Sequence, residues 1–405
     1  CSLYSPYEFN WKRDLDYADG VDTHTRGVDI INSLLLDVRG TYDEDNAKKA
    51  ETAMYKIFAI AAIRSAIKYS KKASDDIKYL AEGEAYWKSA AGWIGSLSNT
   101  AKTTVDEINT LFDMSLTMVP ASTFCAVKEK VESLYDVIGI DCGMVGTWKD
   151  DPKTCPSKCS PPATGGTLLA GSNAYVAPCT FSKLSDGSYC PVNDVMEHAD
   201  INKDVAACAT ALKEDPPNYA KCKKIYTEGQ ESSKGGAKMR TLQGLAQKDM
   251  NKGGDVVNDW YNGFVSVYGK YTDVWDKPIM DCFDGAGVCA NRNDAFKKYV
   301  INKGLIGIVT GYVAYEIGSG LGKAKDGLLT DTGAPYAMDE AAAFYVGNKP
   351  CSSTGAGASA ACSLYSPYEF NWKRDLDYAD GVDTHTRGVD IINSLLLAVR
   401  GTYDK

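Results

Sequence analysis

Histidine is nearly missing from this chain: His24, His198 and His385 are the only three in 405 residues. So small a supply leaves little room for imidazole-driven acid–base catalysis or for a metal site built from several histidines. A Gly-x-Ser-x-Gly elbow and a Gly-x4-Gly-Lys phosphate loop are both lacking, so no enzyme is expected. Asn-x-Ser/Thr acceptors are absent as well, which excludes N-glycosylation. Basic residues are outnumbered, 44 against 53 acidic, for a net charge of −9. They form no stripe or cluster, which argues against nucleic acid or an anionic membrane as partner. The most apolar run, Leu305–Ile317, has 13 residues, short of the roughly 20 that span a bilayer. It is expected to be a buried core helix.

What the chain does have is a copy of its own beginning. Residues 362–405 repeat residues 1–44 with two differences, Asp37 against Ala398 and Glu44 against Lys405, which sets a period of 361 residues. That period exceeds the 20–50 residues of a solenoid repeat and suffices for a domain with its own core. The chain therefore reads as a window on a tandem-repeat protein, and repetition of a whole domain builds length, valency or surface.

Thirteen cysteines become twelve per period once Cys362 is recognised as the copy of Cys1. An even number, partly clustered at Cys155, Cys159, Cys179 and Cys190 among Pro, Gly, Ser and Thr, points to disulfides formed outside the cytosol. The rival reading gathers those four around zinc. Cys351 and Cys362 bracket a flexible Ser/Gly/Ala loop and are expected to bond. Cys282–Cys289 and Cys125–Cys142 are expected next, being close in sequence, and Cys208 and Cys222 are placed to link two helices. Pairing among the clustered four does not follow from spacing.

Helical periodicity dominates. Apolar stripes predict helices from Asp43 or Asp45 to about Lys72, from after Ser74 through Ile94, over about Thr103–Met118, and from Ser122 to about Ile138. Between Gly139 and Cys190 the pattern lapses into an irregular, disulfide-stapled stretch. Helices resume over about Val195–Leu212, Asn218–Ser232, Val256–Val274, Asn293–Gly318 and Met338–Val346. Strand-like alternation is confined to pieces such as Thr167–Tyr175. The fold class expected is mainly α, a multi-helix domain in tandem with an irregular disulfide-rich connector.

Within the Asn293–Gly318 helix, Gly304, Gly307, Gly311, Ala314 and Gly318 share one face. Each helical glycine costs about 1 kcal/mol relative to alanine, so this register predicts a second helix backbone passing close by. The 25 Tyr and 7 Trp suit either grooves between helices or half-wet contacts between repeats. Asp200-x-Asn202-x-Asp204 imitates a calcium loop, but Val205 stands where glycine is needed and Ala211 where a bidentate carboxylate is needed, so calcium is not expected.

Asp259-Trp260-Tyr261, Tyr271-x3-Trp275-Asp276, Lys303-Gly304 and the run from Gly333-Ala334-Pro335-Tyr336 to Tyr345-Val346-Gly347 form an ordered series. It continues through Ser366-Pro367-Tyr368 and Lys373-Arg374, then, in the other copy, Ala81-Glu82-Gly83-Glu84-Ala85-Tyr86-Trp87 and Gly139-Ile140-Asp141-Cys142-Gly143-Met144-Val145-Gly146. This series resembles the algal family of low-iron-inducible, iron-assimilating periplasmic proteins. The resemblance implies an all-helical secreted or cell-surface fold associated with iron uptake. It also implies three segments: the tail of one domain (1–146), a Cys-rich connector (147–235) and most of the next domain (236–405). The carboxylates it supplies as iron ligands are Asp339, Glu340, Glu82 and Glu84, oxygen donors that suit a hard cation. Asp339 and Glu340 equally suit a helix N-terminal turn with no metal. Where the family has a histidine after Gly-Ala-Pro, this chain has Tyr336.

Three functions are expected from these readings. The first is a secreted structural protein whose repeats contact one another in a cell-surface or extracellular fibre stabilised by disulfides, with no cofactor. The second is an iron-binding surface protein whose repeats multiply capacity. The third is an adhesin for a glycan or mineral, gaining avidity by repetition.

Overall fold

The computed structural model describes residues 44–159, 184, 189–250, 259–348, 366–379 and 381–400. The first long helix, α1 (Glu44–Ala73), is buried on nearly every side from Ala53 to Ser70, as expected of a helix apolar all round. It packs against α2 (Lys78–Ser96), α4 (Thr123–Ser133), α11 (Pro367–Asp377) and α12 (Thr384–Arg400). The second central rod, α9 (Asp294–Lys325), lies against α2, α8 (Tyr271–Asp284) and α10 (Ala334–Val346). By composition α9 is long enough to cross a membrane, but 83% of its most apolar window is inside the protein. It is a core helix.

Local chemistry moved several helix ends. Ser98 accepts a hydrogen bond from the Ala101 N–H at 3.0 Å, so α3 starts at Asn99 and stops at Leu111, earlier at both ends than the apolar stripe indicates. The stretch expected as one helix over 256–274 breaks at Gly269, whose φ is 81°, giving α7 (Asp259–Tyr268) and α8. Thr167–Tyr175 lies outside the described residues, as do Cys351 and Cys362. Among the described residues the sheet is one antiparallel pair, β1 (Thr147–Trp148) on β2 (Tyr378–Ala379).

The glycine face of α9 is filled differently from expectation. Tyr271, Trp275 and Ile279, one turn apart on α8, lie over Gly311, Gly307 and Gly304, where a Cβ at Gly307 would fall within the Trp275 ring. Small residues here admit a stripe of bulky side chains, not a helix backbone. Ala314 and Gly318, further along, are buried too. Close backbone approach occurs instead between α2 and α7, where a Cβ on Gly92 would collide with the Phe264 Cα and one on Gly263 would meet the Trp93 Cα at 3.1 Å.

Disulfides join Cys125 to Cys155, Cys142 to Cys159, Cys208 to Cys222 and Cys282 to Cys289. The expected Cys125–Cys142 bond is thus corrected: each cysteine reaches forward to the irregular stretch, because α4 and the Cys142–Val145 turn present their sulfurs to a strap laid across them. Cys155 and Cys159 in disulfides leave no four-thiolate zinc cage. The stretch expected as a connector is part of the same core. Tyr189, Ile201 in α5 (Ile201–Ala211) and Tyr226 in α6 (Tyr219–Glu228) are wholly buried, and α5 packs on α9. Residues 44–148 and 366–379 likewise close on one another across the β1–β2 pair.

Candidate metal-binding site

Asp339 and Glu340 share a turn of α10 but face different surroundings. Asp339 is fully buried and accepts from the Tyr189 hydroxyl (2.9 Å), the N–H groups of Val192 (3.0 Å) and Asn193 (2.8 Å), and the Asn193 side-chain amide (3.0 Å). Burial pushes its pKa up to about 6 against the pull of those donors. With its oxygens committed to four donors it anchors the chain from 189 to 193 onto α10. Glu82 on α2 pairs with Lys303 at 3.1 Å and Glu84 with Lys88. Lys303 stands thirteen residues before Glu316 on α9, about 20 Å at 1.5 Å per residue, and Glu316 is the residue that hydrogen-bonds Glu340. The four carboxylates suggested by the resemblance are therefore not brought together.

Glu340 instead meets two groups the sequence left unassigned. His198, in the single turn Met196–Ala199, places Nε2 at 2.6 Å from Glu340 Oε1, and Glu316 from α9 hydrogen-bonds the same carboxylate. Burial raises the pKa of Glu316 well above the carboxylate range, and the charge of Glu340 adds to this. Burial acts the same way on Glu340, but the hydrogen bond and charge of His198 outweigh it and hold the pKa low. Burial and the neighbouring charge therefore favour the neutral form of Glu316, and His198 favours the charged form of Glu340. Lys323 and Lys248 lie near enough to steady the remaining negative charge. Rings of Tyr336 (6.1 Å) and Phe344 (5.8 Å) stand edge-on to His198, and Tyr312 closes on Phe344 at 4.9 Å. His198 Nδ1 is buried with no hydrogen-bond partner. Side-chain exposures of 11% for His198 and 14% for Glu340 leave a narrow approach to the cluster. Glu340 thus stands between an acid and an imidazole, oxygen and nitrogen donors of the kinds that iron accepts.

A second group, Asp375, Asp383 and His385, brings its ligand atoms within 4.8 Å of one another. Its chemistry is that of a clamp. His385 Nδ1 stands 2.8 Å from a carboxylate oxygen of each aspartate. Burial lowers its pKa, yet the two anions overcome this and raise it to about 10. Asp375 also pairs with Arg64 and accepts from the Thr384 N–H (2.9 Å) and hydroxyl (2.8 Å) and from the His385 N–H (3.1 Å). At neutral pH a metal would have to displace a proton held roughly three thousandfold more tightly than on a free imidazole. The calcium-like triplet is dispersed: Asp200 meets Lys203 and Asn348, Asn202 accepts from the Asn348 N–H, and Asp204 from the Glu231 N–H.

Glu316 and His198 were missed for different reasons. Glu316 sits in an apolar helical run where a lone acid gives no motif, although an unpaired charge in such a run is itself a signal. His198 falls in the supposed connector. It stands beside Tyr336, with ring centroids 6.1 Å apart.

No curated protein and no solved structure matches the chain. The sequence profile of the low iron-inducible periplasmic protein family matches residues 166–371, half of the chain, a span that holds His198, Glu316, Tyr336 and Glu340. The disulfides fit a protein matured in an oxidising compartment. The chain belongs to the low iron-inducible periplasmic protein family.

Proposed function

We propose that this is an extracytoplasmic iron-binding protein serving iron assimilation, and that Glu316, Glu340 and His198 hold the ion. One observation carries the reading: two buried carboxylates in hydrogen-bond contact, one of them 2.6 Å from an imidazole whose second nitrogen is buried without a partner. Buried like charges are expensive, and such pairs concentrate at functional sites. An arriving cation would favour the charged form of Glu316, which burial and Glu340 disfavour, so affinity should rise with pH. Of the functions expected from the sequence, iron binding is the one that family membership and this cluster favour together. Release into the medium or retention at the cell surface are both compatible with the reading.

The test is equilibrium dialysis of the full chain against ferrous iron without oxygen and against chelated ferric iron, with bound metal measured by mass spectrometry. Stoichiometric iron is expected for the wild type and its loss for Glu340→Gln and His198→Gln, with unchanged far-ultraviolet circular dichroism. Asp383→Asn should bind normally. Absence of retained iron, or wild-type binding by the Glu340 and His198 variants, would refute the assignment.

A further inference from the structure

Arg374 and Tyr86 lie in the core where α1, α2, α9 and α11 pack together, and each leaves a polar atom unanswered. Arg374 is 1% exposed and Tyr86 is wholly buried. One guanidinium nitrogen of Arg374 donates to the Tyr69 hydroxyl at 2.8 Å, but Arg374 Nε and the Tyr86 hydroxyl have no hydrogen-bond partner. The Arg374 guanidinium carbon stands 6.0 Å from the centre of the Tyr86 ring, and Lys303 Nζ stands 5.5 Å from the same centre. Two orphaned groups and two cations therefore occupy one small region. A buried donor without an acceptor is costly, and an ion or water is the usual remedy.

Charge is unbalanced in the same region. Asp377 Oδ2 answers both Lys68 (2.8 Å) and Arg374 (3.1 Å), and Glu82 answers Lys303 (3.1 Å). Lys72 has no ion pair among the described residues. Its Nζ lies 5.4 Å from the Tyr79 ring, which stacks on Tyr69 at 6.1 Å. The nearby pairs of Lys78 with Asp76 (2.6 Å) and Arg64 with Asp375 cancel. Four cations thus stand among two carboxylates, in a chain whose net charge is −9. Lys68 registers the surplus: burial, then the charges of Arg374 and Lys72, lower its pKa to about 8 against the pull of Asp377. Side-chain exposures of 15% for Lys303 and 19% for Asp377 leave an edge open to solvent.

We propose that Arg374, Tyr86, Lys68, Lys72 and Lys303 form a binding site for a small tetrahedral oxyanion of the inorganic phosphate class. Such an anion supplies both things that the region lacks, acceptor atoms for the orphaned donors and negative charge for the surplus cations. The donors belong to four helices, Lys68 and Lys72 to α1, Tyr86 to α2, Lys303 to α9 and Arg374 to α11. That distribution suits an acceptor whose oxygens point several ways better than a planar carboxylate, and charged donors make the stronger hydrogen bonds to phosphate oxygens. The site stands apart from the iron cluster, since Lys303 and Glu316 are thirteen residues apart on α9, about 20 Å.

The test is isothermal titration calorimetry of the full chain, dialysed free of phosphate, with sodium phosphate and with sodium acetate at constant ionic strength. The wild type should take up one phosphate per chain and bind acetate more weakly. Tyr86→Phe removes only the orphaned hydroxyl and Lys72→Gln only the unpaired charge, and each should weaken phosphate binding about fivefold or more. Without phosphate, Tyr86→Phe should melt at or above the wild-type temperature, because its hydroxyl has no partner to lose, which separates lost binding from lost folding. Lys223→Gln, whose lysine pairs with Asp284 elsewhere, should bind phosphate as the wild type does. Failure of the wild type to take up phosphate, unchanged affinity in either Tyr86→Phe or Lys72→Gln, or equal affinity for acetate would overturn the proposal.

Discussion

His198 and Glu340 approach to 2.6 Å although 142 positions separate them in the chain. The contact places the site where the supposed connector folds back on α10, and Asp339, the neighbour of Glu340, fastens that fold from the opposite side through Tyr189, Val192 and Asn193. Binding chemistry and architecture are therefore adjacent residues of one helical turn.

Burial, and then the charge of Glu340, favour the neutral form of Glu316. A glutamine there keeps size and neutrality, so Glu316→Gln should change the melting temperature by no more than about 2 °C, whereas Glu316→Lys, which buries a full charge, should cost about 3 kcal/mol or more. Calorimetry of both variants without metal decides it.

Replacing Asp339 with alanine strips four donors of their acceptor in a fully buried position. The expected loss is about 3 kcal/mol in urea unfolding, with Asp339→Asn costing less because one carbonyl oxygen remains to accept. An alanine variant within about 0.5 kcal/mol of wild type would show that the 189–193 segment is not anchored there.

Gly307→Ala tests the filled groove of α9. Helix propensity alone favours alanine by about 1 kcal/mol, but the Trp275 ring occupies the space of the new Cβ, so a net loss of about 1–3 kcal/mol is expected from overpacking. Combining it with Trp275→Leu should recover part of that loss, a coupling that a double-mutant cycle reads directly.

Stability should decline on the alkaline side. His385 has its pKa raised from 6.5 to about 10 by Asp375 and Asp383, so between those values the folded state binds more protons than the unfolded state and the free energy of unfolding falls as pH rises. Asp339, raised from 3.8 to about 6, acts in the same direction between about pH 4 and 6. Melting temperature should thus drop from pH 6.5 to 10, and the drop should flatten in a variant with both His24 and His385 replaced by asparagine. A wild-type profile that rises over this interval would contradict the imidazolium clamp.

Non-reducing peptide mapping should recover Cys125 with Cys155 and Cys142 with Cys159. Removing Cys155 and Cys159 together should cost about 2–4 kcal/mol per bridge, read as a lower urea midpoint.

The main helices were legible because their apolar stripes are long and regular: α1 and α9 announce themselves at 3.6-residue spacing. Helix ends were less so, since a single side chain such as Ser98 or a break such as Gly269 shifts an end without altering the stripe. The small-residue face of α9 was visible, but not its occupant. Glycine spacing states only that something comes close, and whether that is a backbone or the Tyr271–Trp275–Ile279 stripe depends on how α8 is rotated.

By itself the sequence determined the helical class, the oxidised cysteines, the duplicated segment and the family, because each is carried by local composition, spacing or identity. Only the tertiary structure decided that His198 and Glu316 converge on Glu340, that Cys125 and Cys142 bond forward, and that residues 366–400 seat on α1. Those outcomes depend on which distant faces become neighbours when apolar surface is buried, and side-chain distances in space are not written in intervals along the chain.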